Sequence, residues 1–172
     1  MSTMYEVPEI DAAVDQLDWA IRLLLDSSAY VPAITLAGAA EGILEALLKI
    51  NPMKETAYVS IKKSLTDKRA ASADDIGRYM NGPRNFLKHA DGSAFDNKQA
   101  DLQTIAIHQI IRCMTNLLRI DRSLSCESPR FYAWVKANRP DLSESHAGPG
   151  ATEVADVRCP LPPPAFPAKR GQ

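Results

Sequence analysis

One short stretch of the 172-residue chain gathers side chains that can do chemistry together: Arg84-Asn85-Phe86-Leu87-Lys88-His89. It follows Gly82-Pro83 and precedes Asp91-Gly92, so it reads as a helical turn or two between loops. Helical spacing puts Asn85 and His89, four apart, on one face. Arg84 and Lys88, also four apart, lie about 100° round from them. The ridge presents two cationic donors beside an imidazole, with Phe86 and Leu87 turned inward as anchors. A neutral imidazole with a pKa near about 6.5 takes and returns protons at neutral pH. A guanidinium is permanently charged and suits bidentate contact with a phosphate. These are the two parts needed to cleave RNA without a metal. The base removes the proton of a 2′-hydroxyl, which attacks the adjacent phosphorus, and the cation stabilises the phosphorane oxygens. The same residues also suit phosphate or nucleotide binding without chemistry, and a solvated, salt-bridged helix face with His89 at a helix C-terminus.

Few other residues compete for a chemical role. Glu41 and Glu45 are polar positions in an otherwise apolar helix pattern. One of them can pair with Arg84 across a bundle and fix its direction, or both can face solvent at one edge. His108 lies between Ile107 and Ile110 and reads as a polar or semi-buried position. No pair among His89, His108 and His146 has metal-ligand spacing, so no metal is expected. G-x-x-x-x-G-K-[ST] and G-x-G-x-x-G are both absent, and no cofactor is expected. The cysteines Cys113, Cys126 and Cys159 are odd in number and widely spaced, which suggests neither a disulfide framework nor a cysteine zinc site.

The elements that must position the ridge read as helices. Five prolines, Pro8, Pro32, Pro52, Pro83 and Pro129, look like helix-start punctuation, with Ser128-Pro129 as a cap followed by proline at the first position. Ile10, Val14, Leu17, Ile21 and Leu24 form one apolar stripe from Pro8 to about Ser27. From Pro32 to Ile50 a broad apolar face is joined by small residues from Ala33 to Ala46 that permit close helix–helix approach. A weaker amphipathic stretch runs from about Lys54 to Leu65. A short helix from Ser72 or Ala73 should end at Met80, closed by Asn81-Gly82. From Asn97 to about Leu124 two adjacent stripes, one through Ala106, Ile110 and Cys113 and one through Ile107, Ile111 and Met114, predict a helix covered on more than one side. A last short helix spans Arg130 to Ala137. No alternating strand pattern competes, so the expected fold is an all-α antiparallel bundle of four to five main helices over residues 1–138.

Seven further prolines fall in residues 139–172, which read as an extended or disordered Pro/Ala/Gly-rich tail. The net charge of −1 hides a dipolar chain. Residues 1–28 hold six acidic side chains and one basic, whereas residues 49–92 hold nine basic and five acidic, and the ridge lies in that basic part. The balance excludes a strongly basic, histone-like nucleic-acid binder. Ala33 to Leu48 looks too short and too charged to span a bilayer, and the acidic start is unlike a secretory leader. No membrane association and a cytoplasmic location are therefore expected.

Arg84-Asn-x-x-x-His89 matches the R-x4–6-H motif of the HEPN superfamily in its R-N-x3-H form, and the chain resembles that family over roughly residues 8–138. The Ala-rich segment Ala39 to Leu48, and the motif's place before a long late helix, are also similar. The resemblance implies a small bundle of four or five helices. It implies a metal-independent endoribonuclease of toxin–antitoxin, abortive-infection or RNA-processing systems, acting as a homodimer with two motifs facing one cleft. Other members are non-catalytic modules that bind a nucleotide, RNA or a protein partner such as an antitoxin. Carried onto this chain, the resemblance makes His89 the general base or acid, Arg84 the phosphate and transition-state ligand, and Asn85 the residue that orients substrate or histidine. Lys88 would add to RNA binding, with Glu41 and Glu45 behind Arg84. A tyrosine often follows the histidine by two positions, but Asp91 stands there; its carboxylate would repel a phosphate, or hold His89 protonated, which spoils a base but suits an acid.

Overall fold

A computed structural model of the chain describes residues 7–68, 72–89 and 101–143, and within them leaves out the side chains of residues 86, 88 and 89. Pro8 stands just outside the first helix, and its carbonyl accepts from the Asp11 and Ala12 N–H groups at 3.0 Å each. The first helix, α1, runs Glu9–Ser27, with Glu9 and Asp11 in the first turn, where the exposed N–H groups favour negative charge. It stops at Ser28, which takes the left-handed conformation (φ 51°) while the Ala29 N–H returns to the Leu23 carbonyl at 2.9 Å. That reversal starts α2, Tyr30–Lys49, within two residues. Then come α3 (Ala57–Lys68), α4 (Ala73–His89), α5 (Leu102–Arg119), α6 (Ser128–Asn138) and the single turn α7 (Pro140–Ser143). Every regular element among the described residues is helical, as the sequence predicts.

The core lies where α1, α2 and α5 meet. Leu17, Ile21 and Leu24 of α1 pack with Ala33, Ile34, Ala37, Ala40 and Leu44 of α2 and with Ala106, Ile107, Ile110, Cys113, Met114 and Leu117 of α5. Phe131 of α6 closes one side. Burying each large apolar side chain contributes about 1.5–3 kcal/mol before ordering entropy is counted. Ala33, Ala37, Gly38 and Ala40 of α2 are buried at its packed face and let neighbouring helices approach its backbone, whereas Gly42 and Ala46 face outward. α5 is buried on more than one side, as its two stripes predict.

Ion pairs fasten the later helices. Arg22 of α1 donates to Glu127 at 2.8 Å, and both side chains are almost buried. Arg130 joins Glu127 (3.3 Å) to Asp26, which clamps α6 to α1. Arg139 donates to Thr104 Oγ1 at 2.8 Å and pairs with Asp101 at the start of α5. The helical fold thus continues through Ser143, five residues into the stretch read as tail. Residues 144–172 lie outside the described residues.

Four local expectations change. Pro52 starts no helix, since α3 begins five residues later at Ala57. α4 does not end at Met80 but runs through Asn81, Gly82 and Pro83 to His89. Pro83 starts no helix and leaves the Tyr79 carbonyl without its helical donor. Ser128 is the first residue of α6 rather than its cap, and its hydroxyl meets that of Ser125 at 2.9 Å. Finally, α2 has 20 residues and a mean hydropathy of 1.5, so by length and composition it could cross a membrane. It instead forms the centre of the bundle, with Glu41 held inside by polar partners from two other helices.

Candidate functional site

The site is built on a carboxylate that no water reaches. Glu41 sits midway along α2 and is completely buried. An ionised carboxylate survives burial only when donors replace its hydration. Four donations arrive. Arg112 of α5 gives a two-point contact, Nε to Oε1 and Nη2 to Oε2, each at 2.5 Å. Gln109, one turn earlier on α5, donates Nε2 to Oε2 at 2.5 Å. Arg84 of α4 donates Nη1 to Oε2 at 2.9 Å. Two guanidinium groups therefore share one carboxylate, and the cluster carries a surplus of one positive charge.

Arg84 reaches Glu41 because Gly38 lies one turn earlier on α2. A Cβ at Gly38 would stand 2.8 Å from Arg84 Cδ and 3.0 Å from Cγ. The missing side chain is the slot through which the arginine stem passes. The Arg84 side chain is 20% exposed. Its buried Nε has no partner, and its Nη2 makes no hydrogen bond among the described residues. One nitrogen is thus fixed from below, while Nη2 has no partner among the described residues.

Arg112 also stitches the proline-bearing part of α4 to α5. Its Nη1 donates to the Met80 carbonyl at 3.3 Å and its Nη2 to Asn81 Oδ1 at 3.2 Å. Its guanidinium carbon lies 5.5 Å from the centre of the Tyr58 ring, a cation–π distance, and Lys62 Nζ lies 5.9 Å from the same ring. Cys113, beside Arg112, donates its thiol to the Ala37 carbonyl at 3.0 Å, and burial, with Glu41 nearby, pushes the thiol well above its ordinary range. It is core filling, as expected.

Of the residues singled out in the sequence, the structure brings Arg84 and Glu41 together, and it turns Arg84 inward rather than leaving it on an open ridge. The alternative in which both glutamates face solvent does not hold for Glu41. Glu45, one turn further along α2, makes no hydrogen bond among the described residues. Burial, and the charge of Glu41, push its carboxyl above the ordinary range, against the pull of Arg112, Lys49 and Arg84. Asn85 is exposed beside Arg84, and Leu87 packs on the core. The side chains of Lys88, His89 and Phe86 lie outside the described residues, as does Asp91. His108 is half-buried on α5.

Sequence reasoning missed Arg112 and Gln109. The signal was present: Gln109, Arg112 and Asn116 recur at spacings of three and four beside the Ala106–Ile110–Cys113 stripe of α5, on its side away from the Ile107–Ile111–Met114 stripe. On a helix covered on more than one side, a polar stripe that faces its neighbours must be paired. All three are buried, and Asn116 Oδ1 accepts from the Ala57 N–H at 2.7 Å at the start of α3.

Among the described residues no group of three His, Cys, Asp or Glu side chains could hold a metal ion. A surface groove lined by Ile10, Leu47, Leu48, Ile50 and Ile120 contains none of the residues above. Comparison with protein-family profiles, with curated proteins and with solved structures gives no match for this chain, so its function must be argued from the Glu41–Arg84–Arg112 cluster itself.

Proposed function

We propose that the chain is a HEPN-like RNA-cleaving module that needs no metal. The observation that carries this reading is the Arg84 guanidinium, tethered at Nη1 by a buried carboxylate while its Nη2 makes no hydrogen bond among the described residues. A cation so held keeps its direction when a phosphate approaches and needs little reorganisation during reaction. Asn85 is exposed on the next residue, and the helix repeat puts His89 one turn beyond Asn85. In the proposed reaction His89 accepts the 2′-hydroxyl proton, O2′ bonds to phosphorus, and Arg84 balances the charge on the phosphorane oxygens. The P–O5′ bond breaks and O5′ takes a proton, leaving a 2′,3′-cyclic phosphate and a 5′-hydroxyl. A second copy of the chain supplies the second histidine for that protonation.

The test is cleavage of single-stranded RNA in EDTA by wild type and His89→Ala. Cleavage by wild type and its loss in the variant support the reading. Equal cleavage by both, or none by wild type across diverse RNAs, refutes it. A second reading, a non-catalytic module binding RNA, a nucleotide or a protein, is favoured by the pairing of Arg84 with Glu41, which commits part of the cation to the fold. RNA binding without cleavage selects it.

A further inference from the structure

Arg112 makes contacts far beyond what holding α5 in place requires. It occupies both oxygens of Glu41, reaches Met80 and Asn81 on α4, and lies against the Tyr58 ring, yet its side chain is only 5% exposed. It cannot itself meet a large ligand. Its effect on Arg84 is electrostatic. Without Arg112, Glu41 and Arg84 would be a neutral, closed pair, and an anion approaching Arg84 would have to compete with a fully opposed carboxylate. With Arg112 present, the carboxylate is already neutralised, and Arg84 keeps a whole unit of positive charge to offer. Arg84 Nε is buried and unpaired among the described residues, so an anion meets the guanidinium through the exposed fifth of the side chain.

We infer that Arg112 is a positioning residue that keeps Arg84 free for an anion, so that the Glu41–Arg84–Arg112 cluster is an incomplete ion quartet closed by one phosphate group. The inference rests on the reading of Arg84 as a phosphate ligand, but it needs no cleavage. Gln109 contributes a neutral donor to Glu41 and leaves the charge count unchanged. Glu45 also lies near the cluster, where burial and the charge of Glu41 push its carboxyl above the ordinary range, but it makes no hydrogen bond to either arginine among the described residues, so the surplus is counted over the hydrogen-bonded Glu41, Arg84 and Arg112 alone.

The test compares wild type, Arg112→Met, Arg112→Lys and Arg84→Gln, reading the midpoint of thermal unfolding against inorganic phosphate concentration, with potassium chloride at matched ionic strength. Ligand binding to the folded state raises the midpoint in proportion to the logarithm of ligand over Kd. Wild type should be stabilised by phosphate and Arg84→Gln should not. Arg112→Met should bind phosphate at least about tenfold more weakly, since it removes a unit charge acting over a few ångströms in a partly buried site. Arg112→Lys keeps the charge but not the two-point contact, and should keep most of the phosphate response even where its basal stability falls. A merely structural arginine predicts the opposite: both Arg112 variants lose stability and both keep the wild-type phosphate response. That result, or a wild type indifferent to phosphate, overturns the inference. RNA cleavage by the same proteins is scored separately. A protein that shows the phosphate pattern but cuts no RNA retains the inference and loses the nuclease reading. One that cuts RNA, with Arg112→Met unchanged in its phosphate response, does the reverse.

Discussion

Gly38→Ala and Gly42→Ala form a matched pair that separates helix propensity from the path of Arg84. Both glycines lie inside α2, one turn apart, and both changes favour the helix by about 1 kcal/mol. A Cβ at Gly42 meets nothing within 4 Å, so that gain should be realised in full. A Cβ at Gly38 stands 2.8 Å from Arg84 Cδ. Carbon atoms rest at about 3.5–4.0 Å, so the stem must retreat by about 0.7 Å or more. The Nη1 contact with Glu41, now 2.9 Å, is lost or badly bent. A hydrogen bond between charged groups contributes about 1.5–3 kcal/mol, so Gly38→Ala should be net destabilising by about 0.5–2 kcal/mol. Urea unfolding should therefore place Gly42→Ala above wild type and Gly38→Ala below it. Misplacing the cation by nearly an ångström should also lower RNA cleavage by about one to two orders of magnitude, with Gly42→Ala at the wild-type rate. A Gly38→Ala protein as stable and as active as Gly42→Ala would refute the account of how Arg84 is held.

Glu45→Gln should stabilise the protein at neutral pH. The folded carboxyl titrates above its ordinary 4.5, so ionising it opposes folding as pH rises through that window. The advantage of the variant should shrink on acidification and vanish below about pH 4.5, which unfolding midpoints across pH would show. Asn116→Ala should cost about 1–3 kcal/mol by leaving the buried Ala57 N–H without its acceptor, and amide exchange should quicken at the start of α3 ahead of the α1–α2–α5 core. Asp101→Ala should cost about 0.5–2 kcal/mol by uncapping α5, where Asp101 Oδ1 accepts from the Thr104 N–H at 3.0 Å. The effect should fade in acid, because hydrogen bonds from Thr104 hold that carboxyl below its ordinary range and the cap is lost as pH falls through the folded value.

The apolar stripes of α1, α2 and α5 were legible because period and burial agree along them, from Leu17, Ile21 and Leu24 to Ile107, Ile110 and Met114. The course of α4 was not. Asn81-Gly82-Pro83 carries strong local stop signals, and long-range contacts override them: Arg112 satisfies Met80 and Asn81 from another helix. No local window contains that information. Arg84 was legible as a cation, but its inward course depends on the absence of a side chain at Gly38, 46 positions away in sequence. Glu41 was visible as an anomaly in an apolar helix, and only the fold distinguishes its burial from an exposed edge. Arg112 and Gln109 were masked by the strong apolar stripe beside them, and only the packing of α5 against Glu41 shows why they face inward.

The most direct measurement uses one single-stranded RNA in two forms, unmodified and with a single 2′-deoxy nucleotide at the major cleavage position, incubated with wild-type protein in EDTA. The account predicts cutting of the unmodified RNA to give a 2′,3′-cyclic phosphate and a 5′-hydroxyl, with the bond after the 2′-deoxy nucleotide left intact. Cutting of both forms alike, or of neither, would contradict it.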